Sequence, residues 1–411
     1  MPRGQAGQRS CRFCRKGTKK MMKKKMRWEN CALCLAFLAL CCGLPLAGRL
    51  CSLAGFVQEA GGENRTLAKF PVIHELSGIE RFPEEFEAWY MDHLFLKSRF
   101  VQWKSQLEIA LFHELDSDKV ILGTKKPWLF YCSDDGQPLE TYRRTNRFTA
   151  QELGEIAENI EMLHMDLEDA GIRFVLMIVP DKEQIYGQDY MPARITVSPG
   201  LSRTEQLVEY MAENVPQVCV VYPGEALKAA KKMYEGADTL YYESDTHWNQ
   251  AGACAGMQEL LGVIARQAGE MWEPEKYRFE KSSARQGDLQ KLAGLNASYN
   301  SQEYSRAPAP DYETLKLIRD NNDEVIWESA VSRNPESLPL SVYLTGDSFR
   351  WNGGCYLQEA AAECVITSRY YFDTEDLVAQ EPDVFVYMIA ERYLHELSVI
   401  PGYNTMALQI R

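Results

Sequence analysis

Three scarcities set the first limits on this 411-residue chain. Histidine is rare, with only His74, His93, His113, His164, His247 and His395 present. Only His247 stands in an Asp-x-His motif, so a histidine-built zinc centre finds few ligands. Cysteine is rare outside the start of the chain. Seven of the twelve fall in the first 51 residues, leaving Cys132, Cys219, Cys254, Cys355 and Cys364. An odd, sparse set of this kind is no disulfide framework. Positive charge is the third scarcity. Eleven Lys and Arg precede the first acid, Glu29, which leaves 34 basic against 58 acidic residues in the remainder. A body this acidic argues against nucleic acid as its main partner. No internal repeat and no long low-complexity tract is present.

What the start does hold is a basic tail followed by an apolar run. The tail includes Lys23-Lys24-Lys25, and Cys31–Ala47 then passes without a charge until Arg49. The run is slightly short for a bilayer, and Leu50 to Val57 extend it. Residues 1–30 read as a basic cytoplasmic tail, 31–57 as a transmembrane signal anchor, and 58–411 as an extracytoplasmic body on a single-pass cell-membrane protein. A cleaved signal peptide is the rival reading; the long basic segment favours the uncleaved anchor. Cys11-x-x-Cys14 and Cys31-x-x-Cys34 invite a zinc reading. The second pair lies inside the apolar run, where a hydrated four-ligand site does not fit.

The body alternates helix and strand signals. Phe82–Phe100 reads as a helix. Lys126–Tyr131 reads as an aromatic strand. Thr149-x-x-Glu152 is a capping box that opens a helix ended by Gly171. Arg173–Val179 reads as a central strand. Helices follow at about 203–214, 225–235 and, capped by Asn249, to about 267. Further strands are expected at 218–222, 240–241, 342–344, 364–367 and 383–389. This pattern predicts an α/β fold with a doubly wound, mostly parallel sheet. Residues 271–340 break the rhythm and read as an irregular insertion, with a small β-element at 324–327, lying outside the main sheet near its carboxyl edge.

Two short motifs carry chemistry. Val342-Tyr343-Leu344 is an apolar strand stopped by Gly346-Asp347-Ser348, which leaves a serine at the strand's carboxyl end. Serine is a weak nucleophile until a base takes its proton. The candidate base is His247 in Asp245-Thr246-His247-Trp248, where a carboxylate two residues away can orient the imidazole. Asp-x-His is also half of a metal site, but no further histidine lies in a comparable motif, so no metal and no cofactor is expected. Trp248, Lys182 and Tyr242 are candidate pocket-lining residues. The Ser348 backbone N–H and Asn352, in a loop folding over the site, are candidate oxyanion donors. Arg392 is a candidate pocket cation. Tyr241, Trp351, Tyr370 and Tyr371 are candidates for stacking on a glycan.

Glu63–Pro71, Trp128-Leu129-Phe130, Val179-Pro180-Asp181-Lys182, Asp245-Thr246-His247-Trp248, Gly346-Asp347-Ser348-Phe349 and Glu391-Arg392 occur in this order. In that order they resemble the SGNH-hydrolase-like acyltransferases of the alginate O-acetylation type and the related DHHW proteins. The resemblance covers about residue 60 to the C-terminus. It implies that Ser348 attacks an acyl donor, that His247 is the general base and that Asp245 orients it. It further implies an O-acetyltransferase acting on an extracytoplasmic glycan, with a membrane-bound O-acyltransferase as acetyl donor. A carbohydrate O-acetyl esterase and a non-catalytic anchored scaffold are the alternatives. Thr246 stands where the DHHW name has His, and its side chain is expected to point away from the base. Unlike some alginate-type members, the chain is not expected to carry a separate carbohydrate-binding module after this region.

Overall fold

A computed structural model of the protein describes residues 28, 30–39, 43, 68–72, 77–92, 97–273, 277–322, 325–335 and 337–403. The chain divides into two compact units, Met1–Phe100 and Val101–Arg411. In the first unit, residues 30–38 are helical and a helix runs over Ser77–Asp92. Much of the anchor, including 44–57, and His93 lie outside the described residues. Among those described, no helix is long and apolar enough to cross a membrane.

The central strands of the second unit are apolar on both faces. A small antiparallel pair comes first, β1 (Val120–Leu122) with β2 (Leu129–Tyr131). The strand expected at 126–131 therefore forms, but outside the main sheet. The main sheet starts with β3 (Arg173–Val179) and β4 (Cys219–Val221). A two-stranded antiparallel sheet follows, β5 (Arg278–Arg285) with β6 (Ser301–Ala307). The main sheet then gains β7 (Glu313–Asn322), β8 (Val325–Arg333), β9 (Leu338–Gly346), β10 (Ala361–Ser368) and β11 (Val384–Ala390). Its order is β4-β3-β11-β9-β10-β8-β7. The first five are parallel, and the β7–β8 hairpin closes one edge antiparallel.

Side-chain alternation shows why these strands sit in the middle. Along β3, Val175, Met177 and Val179 enter one core, while Phe174, Leu176 and Ile178 enter another. Along β11, Val386 and Met388 share the first core and Phe385, Tyr387 and Ile389 the second. The helices Gln250–Gln267 and Arg350–Ala360 cover the first face; Ala150–Asp169 and Arg203–Asn214 cover the second. The capping box at Thr149 and the Asn249 cap form as the sequence indicates. Gly171, with φ +76°, turns the chain at the end of its helix.

The reading of 271–340 needs correction. The segment is not irregular, and it does not lie outside the sheet. Its later part, β7 and β8, extends the main sheet beyond β10. Its earlier part wraps the Asp245–His247 loop, as set out below. Its polar composition concealed this, because an edge hairpin and a wrapping strand pair bury little apolar surface.

Candidate active site

β9 ends beside β11, and the turn that follows presents Ser348. At Gly346 a Cβ atom would come within 3.1 Å of the Met388 Cβ, so only glycine fits that approach without displacement. The buried Asp347 carboxylate then locks the turn. It accepts hydrogen bonds from the Phe349 N–H at 3.0 Å and from the Ala390 N–H, at the end of β11, at 2.6 Å. The helix Arg350–Ala360 begins at once.

The Asp-x-His loop arrives differently. Leu240-Tyr241 was expected to be a strand, yet it makes only a single bridge, Tyr241 to Trp248. The segment between is a tight loop, closed by Tyr242 N–H to the His247 carbonyl at 3.1 Å and Asn249 N–H to the Leu240 carbonyl at 2.9 Å. Lys182 pins it from below. Its buried Nζ donates to the carbonyls of Tyr242, Glu243 and Asp245 at 3.2, 2.9 and 2.7 Å. Burial pulls this ammonium down to about 8. From the other side, Gly287 lies so close that a Cβ would overlap the Ser244 carbonyl at 2.0 Å. Gln290 N–H donates to the same carbonyl at 3.1 Å, and Ser301 Oγ accepts from Ser244 N–H at 2.8 Å.

These two pieces meet. His247 Nε2 lies 2.6 Å from Ser348 Oγ, and Nδ1 lies 2.6 Å from Asp245 Oδ1. Asp245 Oδ1 also accepts from the His247 backbone N–H at 3.1 Å, and Oδ2 from Arg285 at 3.3 Å. Burial opposes the charge on Asp245, but His247 and Arg285 outweigh it and hold the carboxyl well below the usual range. Burial likewise pulls His247 down; the Asp245 charge and hydrogen bond, with Asp288, outweigh this and raise it above the ordinary imidazole value. A strongly hydrogen-bonded Ser-His-Asp series of this geometry can take a proton from the serine and hold the imidazolium that results. Among the described residues the Ser348 N–H meets no backbone carbonyl, which leaves it available to a developing oxyanion.

Several candidates take other places. Trp248 is fully buried and donates from Nε1 to the Phe349 carbonyl at 2.9 Å, joining the two motifs rather than lining a pocket. Lys182 is the pin beneath the loop. Tyr242 is buried, bonded to Glu303 and covered by the Arg285 guanidinium at 4.5 Å. Trp351 to Gly354 form the first turns of a helix, not a loop over the site. Asn352 donates to the Trp248 carbonyl at 2.8 Å and accepts from Gln250 at 3.1 Å, so its amide is spent on the scaffold. Arg392 is buried and ion-paired with Asp181, not with Glu391 or Asp347, and its guanidinium lies 5.3 Å from the Phe349 ring. Trp351 does face solvent, 59% exposed, with its ring 6.1 Å from His247. Tyr370 and Tyr371 are also exposed, just beyond the end of β10, the neighbour of β9.

Sequence reasoning missed Asp288 and Arg285, both inside the supposed insertion. Thr246 does not point away from the base. Its Oγ1 donates to Asp288 Oδ2 at 2.6 Å and lies 3.3 Å from His247 Nδ1. Asp245, His247 and Asp288 bring ligating atoms within 4.8 Å of one another. The 2.6 Å spacing of Nδ1 and Asp245 is that of a short, charge-assisted hydrogen bond.

A parallel sheet with serine, histidine and aspartate in series at its carboxyl edge is the layout of SGNH-type acyl-transferring and acyl-hydrolysing proteins. Within that class the assignment narrows. Residues 120–351, more than half of the chain, match the family described as SGNH hydrolase-like domain, acetyltransferase AlgX, and the protein belongs to that family. It is 25% identical over 371 residues to a Pseudomonas syringae pv. tomato protein described as a probable alginate O-acetylase AlgJ, covering 83% of this chain and 84% of that one. A Pseudomonas fluorescens protein of the same description is 22% identical, covering 76% and 78%. In fold, the chain is similar to Bacillus cereus PatB1, with a TM-score of 0.50 at 13% identity, covering 68% of this chain and 99% of that one.

Proposed function

We propose that this protein is an O-acetyltransferase that modifies an extracytoplasmic polysaccharide or cell-wall glycan through an acetyl-serine intermediate. The observation that carries the reading is the 2.6 Å approach of His247 Nε2 to Ser348 Oγ, with Asp245 on the far ring nitrogen. The description of the Pseudomonas relatives as alginate O-acetylases supports a polysaccharide acceptor. Residues 31–57 serve as the membrane anchor, and a membrane-bound O-acyltransferase supplies the acetyl group.

In the first half-reaction Ser348 Oγ attacks the donor carbonyl carbon as His247 Nε2 takes the serine proton. Asp245 keeps the Nδ1 proton in place and stabilises the cationic ring. The Ser348 N–H meets the carbonyl oxygen as it gains charge. The donor's leaving group departs with the proton from Nε2. In the second half-reaction an acceptor hydroxyl gives its proton to Nε2 and attacks the acetyl carbon. The bond to Ser348 Oγ breaks, and the serine recovers its proton. The exposed Trp351 indole beside the base offers the acceptor sugar an apolar face.

The test uses the full-length chain, an activated acetyl ester and an oligosaccharide acceptor. Mass spectrometry is expected to find one acetyl group on Ser348 and its transfer to the sugar. Ser348→Ala and His247→Ala should each lose roughly 10³–10⁴-fold, and the double variant should be scarcely worse, because the groups act as one unit. Exclusive release of acetate with added sugar would favour the esterase reading. Full turnover by Ser348→Ala, with no adduct on the wild type, would sink the covalent mechanism.

A further inference from the structure

Among the described residues, the carboxylate beside the base that the Ser-His-Asp series above does not use is Asp288. It opens the short helix Asp288–Leu292, which lies between the two motifs in the sequence. Its contacts are directed at the Asp-x-His loop. Oδ1 accepts from the Thr246 N–H at 2.8 Å, and Oδ2 from the Thr246 hydroxyl at 2.6 Å. Its own backbone N–H donates to Asp245 Oδ2 at 3.1 Å. Oδ2 lies 3.7 Å from His247 Nδ1. Asp288 therefore touches each of the three residues 245, 246 and 247.

We infer that Asp288 is a positioning residue for His247, clamping the loop through Thr246 and setting a second negative charge beside the imidazole. The clamp explains why Thr246 is turned toward the base. A hydroxyl there bridges Asp288 to the ring's edge, and an apolar side chain of similar shape would leave Oδ2 without that donor. The charge works on the imidazole in the same sense as Asp245. Both favour the protonated ring that forms when Ser348 gives up its proton. Other charges face the pair. Arg285 on β5 reaches Asp245, Lys182 after β3 lies beneath the loop, and Arg392 after β11 opposes protonation of His247. Burial and the neighbouring Asp245 push the Asp288 carboxyl up, as expected of two carboxylates sharing one imidazole.

The inference rests on the acyl-serine reading only for its activity readout, so a second readout is paired with it. Asp288→Asn keeps the shape and removes the charge. In full-length protein, the acid limb of kcat/KM for an activated acetyl ester should move down by about one to three pH units, the span between water-like and protein-like screening of a charge at this range from the ring. The His247 imidazole, followed by NMR in ¹⁵N-histidine-labelled protein, should move by the same amount. Thr246→Val should loosen the clamp and lower both the His247 midpoint and kcat, whereas Thr246→Ser should restore wild-type values. The Thr246 pair also decides the matter should Asp288→Asn fail to fold. An unmoved His247 titration in folded Asp288→Asn, or in Thr246→Val where Asp288→Asn does not fold, overturns the inference. If the wild type shows no acetyl turnover and no serine adduct, the transfer reading falls, while the imidazole titration still decides the role of Asp288.

Discussion

Asp347 offers the sharpest test of how the fold holds its nucleophile. Its carboxylate is buried and joins two elements: the Ser348 turn, through Phe349 N–H at 3.0 Å, and the end of β11, through Ala390 N–H at 2.6 Å. Asp347→Ala leaves two buried donors without that acceptor. Each unsatisfied group costs about 1–3 kcal/mol, more where the lost partner was charged, so a total near 3–5 kcal/mol is expected. For a domain of this size each kcal/mol lowers the melting temperature by about 2–3 °C, which puts the fall at roughly 6–15 °C. Asp347→Asn keeps one acceptor oxygen and should lose about half as much. The turn would also drift, and a displacement of about 1 Å at a nucleophile can cost on the order of 10²-fold. Thermal unfolding followed by circular dichroism measures the first effect. Burst labelling of Ser348 by an activated ester measures the second. If Asp347→Ala melts within about 2 °C of wild type and labels at the wild-type rate, the carboxylate does not hold the turn and the reasoning fails.

Two further outcomes follow from the site. Because the neutral imidazole accepts the serine proton, and His247 is raised above the ordinary value by Asp245 and Asp288 against the pull of burial, activity should be lost as pH falls through a midpoint above about 6.5; a pH profile of kcat/KM with its acid limb below that value would contradict the electrostatics. Trp351→Ala should raise the oligosaccharide KM about 2–10-fold and shift acetyl partition toward water, as expected for loss of one aromatic platform; an unchanged transfer-to-hydrolysis ratio would show that the exposed indole does not bind the acceptor.

The sequence by itself determined the strands of the parallel core and the residues of the series. β3, β9 and β11 are short, apolar and bounded by turn formers, so local pattern and burial agree. Gly346-Asp347-Ser348 and Asp245-Thr246-His247 are compact motifs, legible without knowing what packs against them. Tertiary structure alone decided what surrounds them. Asp288, Arg285 and Gly287 lie about forty residues beyond the loop they hold, in polar sequence with no periodic signature. Lys182 and Arg392 read as pocket cations because charge near a motif suggests a ligand. In the fold both are buried, and each is spent on the protein itself: Lys182 on three carbonyls, Arg392 on Asp181. Asn352 looked like a loop residue because Gly353-Gly354 follows it, yet those glycines let the helix pack tightly, one against Met257 and Trp248 and the other against Ile366. Hydrogen-bond partners are chosen in three dimensions among many groups of similar chemistry, and a linear pattern holds no record of which one is within reach.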